Sequence, residues 1–204
     1  MDDVCLPRLD VRRKSGDEVF HDGPAPLGFD LRNFWQWSAS DLVSNALRGR
    51  LAEFLVAKAL GIADGVRTEW DAYDLRTATG LTIEVKSAAY VQSWAQRAPS
   101  TICCDIAPTR FWDATTNVLA TDIRRQADLY VFALLKHPFN ERTLVDPTDV
   151  SQWEFFVTPA ATLNARMPNQ KQLGLSTLLK LGPLRCVFAE LRGVVERTSA
   201  TTGE

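Results

Sequence analysis

A chain of 204 residues with a formal net charge of −2 is expected to form one domain. A cytoplasmic location is expected, because no apolar run approaches the roughly 18 residues of a membrane span and Asp2 and Asp3 do not fit a signal peptide. This charge neither indicates nor excludes nucleic-acid binding, since a local basic groove can coexist with an acidic remainder. Only two histidines are present, His21 and His137, and neither has the neighbours of a histidine-based nuclease, a Ser-His-Asp hydrolase or a zinc deaminase, so the chemistry must rest on carboxylates and lysine.

Residues 1–37 are expected to form an N-terminal arm or cap, because they mix charges of both signs with scattered proline and glycine. A helix is expected to follow, capped by Ser38 or Ser40, and to run to about Leu60 before it ends at Gly61. Its predicted apolar stripe consists of Leu47, Leu51, Phe54 and Leu55.

Glu53 lies on this predicted helix among Ala46, Gly49 and Ala57, all at helical neighbour spacings. Glycine inside a helix costs about 1 kcal/mol relative to alanine, so Gly49 is expected to have a packing reason, such as a close approach to another backbone. A carboxylate on such a stripe is expected to find its partner across that interface. The alternative is a surface glutamate paired with Arg50.

Residues 69–87 predict a β-hairpin, because apolar and polar side chains alternate with a period of two. The apolar set is Tyr73, Leu75, Leu81, Ile83 and Val85, and the other parity holds Asp74, Arg76, Thr82, Glu84 and Lys86. Residues 78–80, Ala-Thr-Gly, fit a three-residue loop with glycine in the left-handed position. That loop pairs Leu75 with Ile83 and Arg76 with Thr82.

The same register places Asp74 opposite Glu84. Directly opposed residues have Cβ atoms about 4.5–5.5 Å apart, and like charges at that distance repel. Two opposed carboxylates therefore require a cation, which Lys86 supplies in part and a divalent metal would supply more fully. The alternative is a solvated polar face with a surface ion pair worth about 0–1 kcal/mol. Asp71 is a weaker candidate than Asp74 for the same role, because it falls on the apolar face of the strand unless a bulge shifts it.

The rest of the chain predicts further strands and one helix. Strands are expected at 101–106, 127–136, 153–158 and 185–189, a helix near 175–181 and a polar tail over 196–204. The strand at 127–136 is apolar throughout, which is typical of a sheet interior covered on both faces. Helix, hairpin, strands and further helices predict an α/β fold with a mixed central sheet. The cysteines are expected to be reduced structural thiols: Cys5, Cys103, Cys104 and Cys186.

A helical glutamate, Glu53, followed by Asp74 and then by Glu84-Val85-Lys86, resembles the PD-(D/E)XK nuclease superfamily, which has the restriction-endonuclease-like fold. The resemblance covers about residues 40–135, and more loosely the rest. The chain departs from the family pattern in having no proline before Asp74, which removes one discriminating residue. The resemblance implies a nuclease domain over 38–195, with a mixed central β-sheet flanked by helices.

The resemblance also implies Mg²⁺-dependent cleavage of phosphodiester bonds, with Mn²⁺ as a substitute. Asp74 and Glu84 would bind the metal, and the carbonyl of Val85 would add a backbone oxygen. This set suits Mg²⁺, which prefers oxygen ligands and keeps several waters. Lys86 would orient or deprotonate the attacking water and neutralise charge in the transition state. Glu53 would bind a second metal or hold a metal-bound water.

Side chains that would contact the substrate are Arg50, Gln92, Trp94 and Arg97, with Arg110, Arg124 and Arg125 as further phosphate contacts. The alternatives without substrate contact are loop hydrogen bonding for the glutamine, a partly buried core position for the tryptophan and a solvated face for the arginines. Double-stranded DNA is the expected substrate, in restriction, phage defence or repair. One site nicks one strand, so a homodimer or a separate specificity partner stays open.

Two other kinds of function are compatible with the same residues. One is a nucleic-acid-binding or protein-interaction module on this fold that does no chemistry. The other is a metal-dependent hydrolase of a different substrate, which an oxygen-rich ligand set makes less suitable than phosphate chemistry. The intact Asp, Glu and Lys favour the nuclease, because a site without chemistry does not need both opposed carboxylates.

Overall fold

The computed structural model describes residues 6, 9–69, 71–113 and 116–202. Within them, a five-stranded mixed sheet carries helices on both faces. This confirms the predicted α/β class with a mixed central sheet flanked by helices. Cys5 and the last two residues of the expected tail lie outside the described residues.

The helices and strands of the described residues have the following bounds. The helices are α1 (Leu31–Ala39), α2 (Asn45–Leu60), α3 (Ala160–Arg166), α4 (Leu175–Lys180) and α5 (Leu191–Thr202). The strands are β1 (Val19–Asp22), β2 (Ala25–Asp30), β3 (Leu75–Arg76), β4 (Thr82–Ala89), β5 (Cys103–Asp105), β6 (Trp112–Asp113), β7 (Val118–Leu119), β8 (Leu129–Leu135), β9 (Trp153–Pro159), β10 (Gln172–Gly174) and β11 (Leu184–Cys186).

The central sheet has the strand order β11–β9–β8–β4–β3. Strands β4 and β8 are parallel, and the other neighbouring pairs are antiparallel. Every residue of β8 is buried, as its continuous apolar sequence predicts for a strand covered on both faces. Helices α2 and α5 cover one face, and α3, α4 and the small β5–β10 sheet cover the other.

Strand β4 divides its side chains between these two layers. Ile83 and Val85 belong to the core beneath α2 and α5. Because successive side chains of a strand point to opposite faces, Glu84 and Lys86 lie on the other face, where β5 and residues 106–126 are found. The fold therefore places Glu84 and Lys86 on the face of the sheet opposite α2.

Helix α2 ends as predicted but begins later. Its C-cap Gly61 has a left-handed φ of 73°, and its backbone N–H bonds the carbonyl of Lys58 at 3.2 Å. Its N-cap is Ser44, because the residues before it form the separate helix α1, which Asp30 caps and Ser40 ends. The predicted caps Ser38 and Ser40 therefore belong to α1 and not to the longer helix.

The buried face of α2 differs from the predicted stripe. It consists of Arg48, Ala52, Leu55, Val56 and Ala57. Phe54 is 52% exposed, so its place in the predicted stripe is wrong. Arg48 takes a core position because its guanidinium donates to Ser87 Oγ at 3.2 Å, Gln92 Oε1 at 3.0 Å and the Val43 carbonyl at 2.9 Å. Burial lowers the pKa of this arginine.

Gly49 has no close-packing role, and that expectation is wrong: a Cβ built there has no heavy atom within 4 Å. We therefore expect Gly49→Ala to stabilise the protein by about 0.5–1 kcal/mol, because alanine favours the helix and restricts the unfolded chain. Urea denaturation would measure this. Gly80→Ala is the control, expected to destabilise, since Gly80 has a φ of 91°. A less stable Gly49→Ala protein would contradict the assignment.

The two ends of the described chain are more regular than the sequence predicts. Strands β1 and β2 form a hairpin that leads into α1, where an irregular arm was the expectation. At the other end, α5 continues to Thr202 instead of giving way to a polar tail at 196. The reason is burial: Val194, Val195 and Thr198 pack into the core, and Thr198 Oγ1 bonds the Val194 carbonyl at 2.7 Å. The proposed division into arm, domain and tail stays a prediction.

Three of the four cysteines lie in the part of the chain that the structure describes. Cys103, Cys104 and Cys186 are free, and the latter two are buried. No helix in the described parts of the chain is long and apolar enough to cross a bilayer.

Candidate active site

The β3–β4 hairpin has the predicted register. Arg76 lies opposite Thr82 and Leu75 opposite Ile83. In the loop, Gly80 adopts a φ of 91°, the left-handed conformation that the sequence pattern requires there. The register of the hairpin therefore follows from its own loop and strand pattern.

Asp74 precedes β3 and lies against β4. Its backbone N–H donates to the Ile83 carbonyl at 3.1 Å, and its Oδ2 accepts the Val85 N–H at 2.7 Å. The N–H and C=O of one extended residue point to the same edge of a strand, so the Val85 carbonyl also faces the Asp74 side. This arrangement places a carboxylate and a backbone oxygen next to Glu84, just before β3 begins.

Glu84 and Lys86 form an ion pair, with Nζ to Oε1 at 2.6 Å and side chains only 20% and 28% exposed. Burial by itself lowers the pKa of Lys86. The charge and hydrogen bond of Glu84, with help from Asp74 and Asp105, outweigh that effect and raise the pKa above its ordinary value. Lys86 is therefore a charged ammonium at neutral pH.

Asp74 is the carboxylate with the strongest perturbation in the site. Burial raises its pKa to about 7, and the nearby charge of Glu84 adds to the effect, while the Val85 N–H opposes it. Glu53 raises the pKa of Asp74 further, and Lys86 lowers it. The charge of Glu84 thus disfavours the ionised form of Asp74, and a cation bound between them would relieve this effect.

Two clefts meet at Asp74, and a small cavity adjoins Glu84. The larger cleft, of about 490 Å³, lies between α2 and the approach to β3, and Glu53, Arg67, Asp71 and Asp74 contribute to its walls. The second cleft, of about 300 Å³, is lined by Asp71, Asp74, Glu84, Arg110, Trp112 and Gln126, among others. The small cavity, of about 80 Å³, is lined by Glu84, Lys86, Asp105, Arg125 and Tyr130, among others. The hairpin carboxylates thus face open space.

Asp105 and Tyr130 join the site without having been predicted from sequence. Asp105 ends β5, and Tyr130 lies beside Glu84 in the parallel β4–β8 pairing. Burial raises the pKa of Tyr130, with Glu84 as the next cause. A single carboxylate in the apolar strand at 101–106 was a signal for Asp105. Tyr130 carried no comparable signal, because a tyrosine in an apolar strand is ordinary.

Glu53 pairs neither with the hairpin nor with Arg50. Its carboxylate binds Nε and Nη2 of Arg67, and its side chain is only 12% exposed. Arg50 instead contacts Glu69 at 3.4 Å. Glu53 does share a cleft with Asp74 and affects it through its charge. A metal-binding role for Glu53 stays a prediction that would require Arg67 to move.

The predicted substrate contacts are dispersed. Gln92 is 6% exposed, and its amide bonds Arg48, the Ala89 carbonyl and Ser100, so it lines none of the three spaces above. Trp94 is 51% exposed, and its carbonyl accepts from Arg142 at 3.0 Å. Arg97 is exposed, and Arg50 lines the larger cleft. Of the four, only Arg50 adjoins Asp74.

Arg125 and Asp128 have structural contacts. Arg125 is 6% exposed, and its guanidinium donates to the carbonyls of Ile106, Met167 and Gln170, so the solvated face that was the alternative to a phosphate contact is excluded. Asp128 Oδ2 accepts the N–H of Thr82 at 2.9 Å and its hydroxyl at 2.8 Å. These bonds tie the residue before β8 to the first residue of β4.

The donor set at the hairpin fits a hard divalent cation. Asp74 and Glu84 offer carboxylate oxygens, and Val85 offers a carbonyl on the same side. In the parts of the chain that the structure describes, no three His, Cys, Asp or Glu side chains gather as a metal-binding group. This oxygen donor set is of the kind that Mg²⁺ uses, since Mg²⁺ binds through one or two carboxylates and keeps several waters.

The match to a protein-family model decides what class of protein carries this site. The model is described as bacteriophage T4 endonuclease IV, and it matches residues 33–172, more than two thirds of the chain. The chain belongs to the bacteriophage T4 endonuclease IV family. The matched region contains α2, the hairpin, β5, β8 and β9, and hence every site residue described above. No curated protein matches the chain.

Membership of the endonuclease IV family makes the protein a nuclease that cuts within nucleic acid. This agrees with the enzyme class that the hairpin predicts. The match does not by itself identify the metal, the catalytic residues or a place in the PD-(D/E)XK superfamily. Those assignments depend on the geometry of Asp74, Glu84 and Lys86.

Proposed function

We propose that the protein is a Mg²⁺-dependent endonuclease that hydrolyses phosphodiester bonds in double-stranded DNA, with a PD-(D/E)XK-type site. The observation that carries the proposal is the hairpin itself. Asp74 bonds the Val85 N–H at 2.7 Å, and Glu84 holds Lys86 at 2.6 Å, at the junction of two open clefts. Membership of an endonuclease family supports the same chemistry.

In this proposal Asp74, Glu84 and the Val85 carbonyl would hold Mg²⁺, which when bound would offset the negative charge of the phosphate and lower the pKa of water. Lys86 is a charged ammonium, so it stabilises negative charge that develops on the phosphate and orients the attacking water. Glu84 fixes the position of that ammonium by their ion pair. Asp74 is in turn fixed by the backbone of β4.

The hydrolysis balances as the addition of one water. The water oxygen forms a bond to phosphorus, and the bond from phosphorus to the departing sugar oxygen breaks. One proton passes from the water to solvent, and the departing oxygen takes one from solvent. No redox partner or activated donor is required.

The substrate and the biological role belong to the same proposal. The two clefts, of about 490 and 300 Å³, leave the carboxylates accessible from outside, as a polymeric substrate requires. One protomer carries one such hairpin, so a double-strand cut would use two copies or a separate partner. Restriction, phage defence and repair are the processes that fit a DNA endonuclease of this kind.

The test is DNA cleavage with Mg²⁺ or Mn²⁺ by the wild-type protein, Glu84→Gln and the control Glu196→Gln. Glu196 lies exposed on α5, away from the clefts. We expect the control to match the wild type, and Glu84→Gln to lose at least about 100-fold in rate, because it loses a metal ligand and the partner of Lys86. DNA binding without cleavage at any metal concentration would instead favour the non-catalytic module.

A further inference from the structure

A small polar cavity lies behind the Glu84–Lys86 pair, between β4, β5 and β8. Its volume is about 80 Å³. A water molecule takes up about 30 Å³ in the liquid, so the cavity suits about two or three waters and is too small for a nucleotide. The polar side chains around it include Glu84, Lys86, Asp105 and Tyr130.

Tyr130 is the unexplained group of this cavity. It is 4% exposed, and its ring stacks on Phe132 with centroids 6.0 Å apart. Within the described residues the Tyr130 hydroxyl has no hydrogen-bond partner. The described side-chain atom that is both fully buried and unpartnered is Thr158 Oγ1, so the Tyr130 hydroxyl is not fully enclosed. A buried phenol normally finds a partner, so this hydroxyl calls for one in the cavity.

The strand register brings this hydroxyl to the site. Glu84 is directly paired with Tyr130 in the parallel β4–β8 ladder. Neighbouring strands lie about 4.8 Å apart, and paired side chains share a face of the sheet. Asp105, across the cavity, uses Oδ1 to accept the Ala107 N–H at 2.8 Å, which leaves its other oxygen for the cavity.

We propose that this cavity holds the water that attacks the phosphodiester, and that Tyr130 is a positioning residue for that water. The proposal rests on the proposed nuclease function. A neutral phenol donates one hydrogen bond and can accept others. With the Lys86 ammonium and the Asp105 carboxylate, it provides the two to four polar partners that an ordered internal water requires.

Tyr130→Phe tests the role because it removes the hydroxyl and keeps the ring that stacks on Phe132. We expect turnover to fall about 10-fold to 100-fold, with KM for DNA and the thermal unfolding midpoint unchanged. The matched control is Tyr90→Phe, which changes a partly buried tyrosine that lines none of the three spaces and should leave turnover unchanged.

A second readout does not depend on activity. A high-resolution crystal structure of the wild type is expected to show ordered water bonded to the Tyr130 hydroxyl, and that of Tyr130→Phe to lose or displace it. A dry cavity in the wild type would overturn the proposal whatever the kinetics.

The two proposals fail in different ways. A wild type that cleaves DNA together with a Tyr130→Phe protein that cleaves equally fast would overturn the role of Tyr130 and leave the nuclease intact. A wild type that cleaves nothing with either metal would overturn the nuclease, and with it any attacking water. A Tyr130→Phe protein that loses turnover only as its unfolding midpoint falls would show a packing role instead.

Discussion

Lys86→Met is expected to lower the rate of DNA cleavage by about 10³-fold while the protein remains folded. Methionine keeps the apolar stem of the lysine but removes the ammonium that Glu84 holds at 2.6 Å. No other cation is paired with Glu84 in the described residues, so charge on the transition state would lose its nearest counterion. Single-turnover cleavage with excess enzyme measures the effect on the chemical step.

Lys180→Met is the matched control, because Lys180 is an exposed lysine at the end of α4. It should cleave like the wild type. Lys86→Arg then separates two roles of the amine, since arginine keeps its proton in proteins and cannot act as a base. The raised pKa of Lys86 indicates an electrostatic role, so we expect Lys86→Arg to exceed Lys86→Met in rate. A Lys86→Met protein with wild-type turnover would remove this lysine from the mechanism.

The hairpin could be predicted from sequence because its structure is local. A three-residue loop with Gly80 and a period of two set the pairing of Leu75 with Ile83, and no distant residue is needed to explain it. The same holds for the seven buried residues of β8, whose apolar sequence leaves no exposed face. The register of the hairpin and the burial of β8 can both be predicted from the side chains of the segment itself.

The face of α2 could not be predicted in this way, because it depends on partners far along the chain. Arg48 can be buried in part because Ser87, in β4, and Gln92, just after it, accept its hydrogen bonds. A pattern of apolar residues treats arginine as surface, so the predicted stripe was rotated toward Phe54. Burial of a charged group is decided by satisfied hydrogen bonds, which periodicity does not contain.

The site shows the same division. Asp74, Glu84 and Lys86 lie within one hairpin and were found together, whereas Asp105 and Tyr130 reach it through the β5 and β8 strands. Long-range strand pairing creates such juxtapositions, and a single sequence does not encode them in any local pattern.

Asp74→Asn is expected to stabilise the metal-free protein at pH 8, by up to about 4 kcal/mol, even as it removes a proposed metal ligand. Burial, and then the charge of Glu84, raise the pKa of Asp74 from 3.8 to about 7. Between pH 3.8 and about pH 7, the folded state therefore keeps a proton on Asp74 that the unfolded state has lost. Ionised Asp74 disfavours folding above pH 7, and this penalty disappears as the pH falls toward 4.

Asparagine suits the position because its amide oxygen can still accept the Val85 N–H. Urea denaturation in EDTA at pH 8 and pH 5 should show a large stability difference at pH 8 that shrinks at pH 5. Asp149→Asn is a control of opposite sign, because the Ser151 hydroxyl lowers the pKa of Asp149 and its ionised form favours folding. A pH-independent effect of Asp74→Asn would show that burial does not perturb this carboxylate.

Adding Mn²⁺ should change which of the two proteins, the wild type or Asp74→Asn, is more stable. A ligand that binds only the folded state stabilises it by RT ln(1 + [L]/Kd), about 2.7 kcal/mol at 100 times Kd. We expect the wild type to gain this stabilisation and Asp74→Asn to gain much less, since a neutral amide is a weaker ligand than a carboxylate. The advantage of the variant at pH 8 should therefore shrink or reverse. Equal gains in both proteins would place the bound ion away from Asp74. Metal binding would then not explain why Asp74 and Glu84 lie together in the hairpin.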